Sequence, residues 1–300
     1  MAALDDVVAP KAKRKLTGYW LILPGAVWLL IFFVVPFYSL VASSLFDPKG
    51  SPLTGYDMTF HFQNFWDAID KYKGQIWRSL WYAGVATLLC LVVGYVLAYA
   101  IAFKAGRWKN LMLVLVIAPF FTSFLLRTLS WQLILSDDGW VTSLARSTHF
   151  IDLLQVVGLV DGDRLLATQF AVIAGLTYNF LPFMVLPLYA SLEKVDPRLI
   201  EAAGDLYASP MRGFFKVTFP LSLPGVVAGT LLTFIPAAGD YVNATLLGNT
   251  NTRMVGNSIQ SLFTSQGDYA AAGALSVILM VIIVAAVMLY VRTAGTEDLV

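Results

Sequence analysis

The chain has 300 residues, of which 58% are hydrophobic and 13% charged, and its formal net charge is +1. A soluble globular domain is nearer half apolar and a quarter charged, so an ordinary water-soluble fold is excluded. Cys90 is the only cysteine, which excludes an intrachain disulfide, and no nucleic-acid partner is expected.

The apolar residues fall in long runs separated by short charged patches. A run of about 20 apolar residues spans the hydrocarbon core as a helix, and lipid offers unpaired backbone groups no partner of its own. Six runs qualify, so the sequence predicts an all-α integral membrane protein with one six-helix domain, residues 19–292. A basic tail, residues 1–18, precedes it and a short tail, 293–300, follows. The first run is Tyr19–Val41, after Lys11, Lys13, Arg14 and Lys15. A cleaved signal peptide also starts basic, but its apolar region is only about 7–15 residues, so this run reads as a retained span. Pro24 and Pro36 sit near its ends, where breaking a helix costs least. Ser79–Phe103 and Leu111–Leu135 follow, joined by a turn carrying Lys104, Arg107 and Lys109. The fourth run is Leu165–Leu188. A longer polar connection, 193–218, leads to Leu221–Ala238, and Ala270–Val291 is the last.

Placing both termini in the cytoplasm puts twelve basic residues inside and seven outside, with Arg127 within a span. That bias satisfies the positive-inside rule and predicts a multi-pass protein of the bacterial cytoplasmic membrane. The outer segments are acidic, with Asp47, Asp57, Asp137, Asp163, Asp240 and Asp268 among them. Acidic loops remain soluble; an acidic mouth also favours a cationic solute. The first explanation is the plainer.

The connection ASLEKVDPRLIEAAGDLYASPMRGFFKVTFPLSLPG contains two helix starts. Asp196 before Pro197 is an N-cap with proline at the first helical position, and Ser209 before Pro210 repeats the device. Two short helices are expected, Pro197–Tyr207 and Pro210–Val217, with Pro220 forcing a break before the fifth span. On the first, Leu199, Ala202, Ala203 and Leu206 form a mixed small and apolar face, while Arg198, Glu201 and Asp205 lie toward the other side. Ala202, Ala203 and Gly204 let another surface approach the backbone closely. Docking into a groove on a partner and lying flat on the membrane both fit this composition. The chain holds no G-x-x-x-x-G-K-[ST], so it has no phosphate cradle of that kind. His61 and His149 fall in different outer loops and read as ordinary loop residues. No nucleophile with its base and no metal cluster is evident, which argues against an intramembrane enzyme.

The E-A-A segment, Glu201 to Ala203, followed by Val217, Phe219 and Pro220, resembles the cytoplasmic loop of permease subunits of ABC importers. LPGAVWLLIFFVVPFYSL and SLWYAGVATLLCLVVGYVLAYAIA resemble the first two spans of that family. APFFTSFLLRTLSWQLIL, with its PF-x-TS-x-L-x-RT-x-x-W pattern, is similar to the spermidine/putrescine branch, as are NFLPFMVLPLYASLEKVDPRLIEAA and TFIPAAGDYVNATLLG. The resemblance implies a type I ABC importer permease fold. It implies coupling helices in which Arg198, Glu201, Ala202, Ala203, Gly204, Asp205 and Tyr207 meet an ABC ATPase dimer that binds the ATP. A second permease subunit, usually a different one, and an extracytoplasmic solute-binding protein complete such a machine, and the solute implied is a polyamine. Another small cationic solute or an opine fits the same machine. An ion-coupled carrier fits less well, because no inverted repeat is evident. The glycine the family places six residues after the glutamate is Tyr207 here. A tyrosine hardly takes the conformation a glycine is used for at a helix end, so the two coupling helices are expected to join differently.

For the solute pathway, Asp240 is the leading candidate, after Pro236 and Gly239 at the outer end of the fifth span. A broken helix there frees carbonyls which, with a carboxylate, suit an ammonium group. Simple loop capping by Asp240 is the alternative. Tyr241 and Asn243 follow at once; Tyr178 and Asn179 lie deeper in the fourth span, where helix packing is the favoured reading. Arg127 lies roughly 24 Å along the third span at 1.5 Å per residue, where snorkelling or helix pairing is favoured over solute contact.

Overall fold

Lipid gives apolar helices no hydrophobic reason to associate, so their contacts rest on close packing and hydrogen bonding. The computed structural model describes residues 16–50 and 53–293. The expectations for Lys11, Lys13, Arg14 and Lys15, and for residues 294–300, fall outside them. The helices in chain order are α1 (Trp20–Ser43), α2 (Gln63–Lys104), α3 (Gly106–Phe121), α4 (Phe124–Ile134), α5 (Trp140–Ser147) and α6 (Phe150–Val156). They continue with α7 (Gln169–Leu192), α8 (Pro197–Asp205), α9 (Pro210–Ala238), α10 (Val242–Leu247), α11 (Val255–Ser261) and α12 (Tyr269–Arg292). Five of these are long and apolar enough to cross a membrane, and α3 and α4 meet the same measure only when taken together, as one broken span or a re-entrant loop. Among the described residues there is no strand, only a single bridge between Phe46 and Met58.

Three expected boundaries change. The second span begins at Gln63 rather than Ser79. The preceding polar stretch stays helical because Ala68, Tyr72 and Ile76 form a buried stripe with Leu275 and Leu279 of α12, while Asp70 and Lys73 pair in solvent at 2.9 Å. The third span is not straight. It bends by 95° between α3 and α4. Pro119 tightens the last turn of α3, and Thr122 and Ser123 are extended, at φ −105° and −58°. The Thr122 hydroxyl donates to the Pro119 carbonyl at 2.7 Å, satisfying one group that the break frees. Depth counted along a straight helix therefore does not place Arg127. The fourth span starts at Gln169, capped by Thr168, whose hydroxyl accepts the Ala171 N–H at 3.3 Å.

Nor does Pro220 break the chain: α9 runs through it. The turn Phe214–Thr218 is wound as a π-helix. A proline clashes with the carbonyl four residues back, and for Pro220 that residue, Lys216, lies in the widened turn. Pro36 in α1 follows a π turn of its own, Leu30–Val34, in the same way.

The core is α7 packed between α2 and α9. Two glycines of α9 set the approach. A Cβ on Gly229 would lie 2.7 Å from the Met184 sulfur, and one on Gly225 would lie 2.6 Å from the Ser191 Cβ and 2.7 Å from the Pro187 carbonyl. Around Met184 gather Cys90, Tyr95, Leu188, Leu192 and Val226. A second cluster, with Tyr82, Ala86, Leu176, Phe180 and Ala237, lies toward α10. By contrast α1 contributes nothing to the core. Its last turn alone is closely engaged, where Leu40 and Ser43 lie against Gly273 of α12.

Candidate functional site

One end of the bundle carries α8. Its start is as the sequence predicts: Asp196 Oδ1 accepts the Arg198 N–H at 2.9 Å, with Pro197 in the first turn. Its end differs. The helix stops at Asp205, and Tyr207 takes the left-handed conformation at φ 55° that was expected only of a glycine. Two hydrogen bonds hold it there: the Ala208 N–H donates to the Ala203 carbonyl at 3.0 Å, and the Tyr207 N–H to the Gly204 carbonyl at 2.9 Å. This is the Schellman closure, so the ordinary helix end forms without the glycine. The tyrosine ring is 97% exposed, so no packing opposes the turn. Ser209 Oγ then accepts the Arg212 N–H at 3.4 Å and starts α9. The expected Pro210–Val217 helix is therefore the first part of the fifth span.

No residue of α8 is buried. Of the expected face, only Ala203 turns toward the chain, 3.9 Å from where a Gly213 Cβ would lie. Leu199, Ala202 and Leu206 stay exposed, as do Arg198, Glu201, Gly204 and Asp205. Met211 and Tyr207 extend the apolar tip. What fixes α8 lies behind it. The Phe214 ring sits 5.4 Å from Tyr95, 6.2 Å from Tyr99 and 6.3 Å from Phe219, and Tyr95 and Ser222 share a hydrogen bond of 2.7 Å. At the other root, Lys109 donates to Glu193 Oε1 at 2.7 Å and stands 5.2 Å over the Tyr189 ring. That hydrogen bond holds the Glu193 carboxyl below its ordinary range. The pair is solvent-exposed and contributes position more than stability.

At the opposite end of α9 the chain breaks into a buried polar layer. Asp240 is 8% exposed, and its Oδ1 accepts the Asn243 N–H at 2.8 Å, so it caps the start of α10. Asn179 Nδ2 donates to Asn243 Oδ1 and to Thr128 Oγ1, both at 3.1 Å. Asn257 Nδ2 donates to the Tyr241 carbonyl at 2.8 Å and to Thr245 Oγ1 at 2.7 Å. The structure thus brings together Asp240, Asn243 and Asn179, with Tyr241 half-open at the rim. It does not bring Tyr178 to them. That ring stacks edge-on with Trp131 at 5.4 Å and lines an apolar groove with Leu97, Leu115 and Pro182. Thr128 and Asn257 were missed; the polar T in the R-T pair of the third span was the available signal for the first. Arg127 is 9% exposed, and its guanidinium lies 4.9 Å from the centre of the Phe120 ring and 5.6 Å from that of Phe124. No group of three metal-ligating side chains occurs among the described residues.

A family model described as the binding-protein-dependent transport system inner membrane component matches residues 91–294. The spermidine/putrescine transport system permease protein PotB of Haemophilus influenzae is 36% identical over 267 residues, 88% of this chain and 90% of that protein. Its namesake from Escherichia coli is 34% identical over 269 residues, 89% of this chain and 94% of that one. Among solved structures, a bacterial ABC transporter involved in the import of the acidic polysaccharide alginate has a chain that superposes with a TM-score of 0.68, covering 95% of this chain and 97% of that one. The identity there is 19%, so that likeness is one of fold.

Proposed function

This chain belongs to the family of binding-protein-dependent transport system inner membrane components, and from that premise we propose that it is the permease subunit of an ATP-driven importer of polyamines. The observation that carries the coupling role is α8, a nine-residue helix without a buried residue, held out from the bundle on a firm aromatic root. A helix in that condition is built for a partner's groove. The partner is an ABC ATPase dimer, which binds the nucleotide. Arg198, Glu201, Ala202, Gly204, Asp205 and Tyr207 face the cleft, and Ala203 seats the helix on Gly213.

Motion of α8 passes directly into a span. α8 and α9 are joined by a closed turn of four residues, and Phe214 locks the start of α9 against Tyr95 and Tyr99 of α2. Glu193 and Lys109 tie the other root to α3. A push on α8 therefore tilts α9 and α3 together, as alternating access requires. The chain lies in the inner membrane with both termini and α8 on the cytoplasmic side. It forms half of a pathway whose other half is a second, different permease subunit, and an extracytoplasmic solute-binding protein delivers the solute.

The polyamine assignment draws on the relatives' names and on the acidic character of the far end, where Asp240 with Asn243, Asn179 and Tyr241 offers a carboxylate and amide oxygens to an ammonium group. Tyr178 stands apart from that group, in the wall facing the apolar groove. Replacing Glu201 by alanine in the assembled transporter tests the coupling role. Solute-stimulated ATP hydrolysis is expected to collapse while the chain still reaches the membrane; undiminished stimulation would refute it.

A further inference from the structure

The π turn in α9 sets a rotational phase that a regular helix would not. In it the Phe219 N–H donates to the Phe214 carbonyl, five residues back rather than four, so the turn takes up one residue more than an α-helical turn. Residues at both ends of it meet the same ring of α2. At its start, Phe214 lies 5.4 Å from Tyr95. Beyond it, Phe219 lies 6.0 Å from Tyr95, and Ser222 shares a hydrogen bond of 2.7 Å with the Tyr95 hydroxyl. At about 100° per residue, five and eight uninterrupted steps would place Phe219 about 140° and Ser222 about 80° away from Phe214 around the axis. With one step absorbed by the wide turn, the separations fall to about 40° and 20°, and all three residues reach Tyr95 together. The phase extends to α8, because Ala203 lies 3.9 Å from where a Cβ on Gly213, the residue before Phe214, would be. Pro220 holds the turn wide. It has no N–H to offer the Lys216 carbonyl, and in a regular helix its ring would clash with that carbonyl. The turn in α1 keeps the same spacing: Pro36 comes six residues after Leu30, where that π turn begins, as Pro220 comes six after Phe214.

We propose that Pro220 is a positioning residue for coupling: by keeping the turn wide it fixes the rotational phase of α8 against the bundle, so that the exposed face of α8 is the one presented to the ATPase. The inference rests on α8 being the ATPase contact. Pro220→Ala restores the missing donor, and the turn then closes to the α form. Closing it with every residue retained rotates all that precedes it, α8 included, by about 100° around the axis of α9. Deleting Lys216, whose side chain is exposed, from the same variant removes the extra residue and brings the phase back.

The test uses the assembled transporter, with ATPase and second permease, in proteoliposomes. The readout is ATP hydrolysis stimulated by the spermidine-loaded binding protein. Pro220→Ala is expected to lose the stimulation. Deletion of Lys216 alone is expected to lose it too, because Pro220 then meets the Phe215 carbonyl four residues back in a regular helix. The two changes together are expected to regain it. A proline that served stability alone would leave the double variant with both defects. Stimulation retained in Pro220→Ala, or not regained in the double variant, would overturn the proposal. Deletion of Phe215 closes the same turn and stands in if the Lys216 deletion does not assemble. If neither deletion assembles in the Pro220→Ala background, the phase account fails. Glu201→Ala, measured alongside, separates this inference from the reading beneath it. Should Glu201→Ala leave stimulation intact, the docking of α8 on the ATPase is refuted and the positioning role falls with it. Should it abolish stimulation while Pro220→Ala does not, the positioning role alone falls.

Discussion

Tyr207 holds its backbone at φ 55°, where a Cβ crowds the following carbonyl at a cost of about 1–2 kcal/mol. Two Schellman hydrogen bonds offset that strain. The ring itself reaches nothing among the described residues. Strain and docking are therefore separable at this residue. Tyr207→Gly removes the strain and the ring together, whereas Tyr207→Ala removes only the ring. We expect both variants to bind the ATPase more weakly in co-purification. In the glycine variant alone, hydrogen exchange at the Ala208 amide should slow, because its bond to the Ala203 carbonyl no longer works against a strained turn. Faster exchange in that variant would show that the tyrosine is not strained.

Between elements, α7 and α9 approach through glycine, and the two contacts differ in what opposes a side chain. At Gly229 the nearest obstacle is the flexible end of Met184; at Gly225 it includes the Pro187 carbonyl, which cannot turn away. Overpacking of this kind costs about 1–3 kcal/mol. Both Gly229→Ala and Gly225→Ala should lower the melting temperature of the purified chain. Met184→Ala should then restore part of the loss at Gly229 and none at Gly225; equal rescue at both would contradict this account. Met184 is invisible as a contact in the sequence, where it is one apolar residue among many. The apolar runs made five spans and the bent α3–α4 pair legible, since a span needs length and little else. Their ends were less so. Helix α2 extends through a charged stretch because one stripe of it is apolar, and α9 continues through Pro220 because a π turn absorbs the clash. The 95° bend depends on Pro119 and two extended residues inside a run that reads as uniformly apolar. At the sites, Asp196 and Ser209 could be recognised because a cap acts within three residues of itself. The meeting of Thr128, Asn179 and Asn243 joins three separate elements and leaves no local signature.

Across the whole chain, apolar surface stays uncovered in three places with different demands. Helix α1 is a full span with no buried residue in its apolar stretch, and lipid is able to cover it. The outer face of α9, with Leu221, Leu232 and Ile235 exposed, carries Pro224 and Pro236, which leave backbone carbonyls without helical donors. Lipid tails cannot satisfy those groups, so this face calls for water or another protein. The tip of α8, with Leu206 82% exposed beside Tyr207 and Met211, belongs to none of the apolar spans, and on the proposed function the ATPase covers it. On the proposed function, the chain supplies half of a pathway and a helix that takes its motion from an ATPase, and it does not complete a transport cycle by itself. The purified chain in vesicles is therefore expected to show no spermidine uptake under a proton or sodium gradient, and none on addition of ATP. Uptake should need the ATPase, a second permease and the binding protein together. Gradient-driven accumulation by the isolated chain would mean that the α9 face closes its own path, and the reading of the uncovered surfaces as partner sites would be lost.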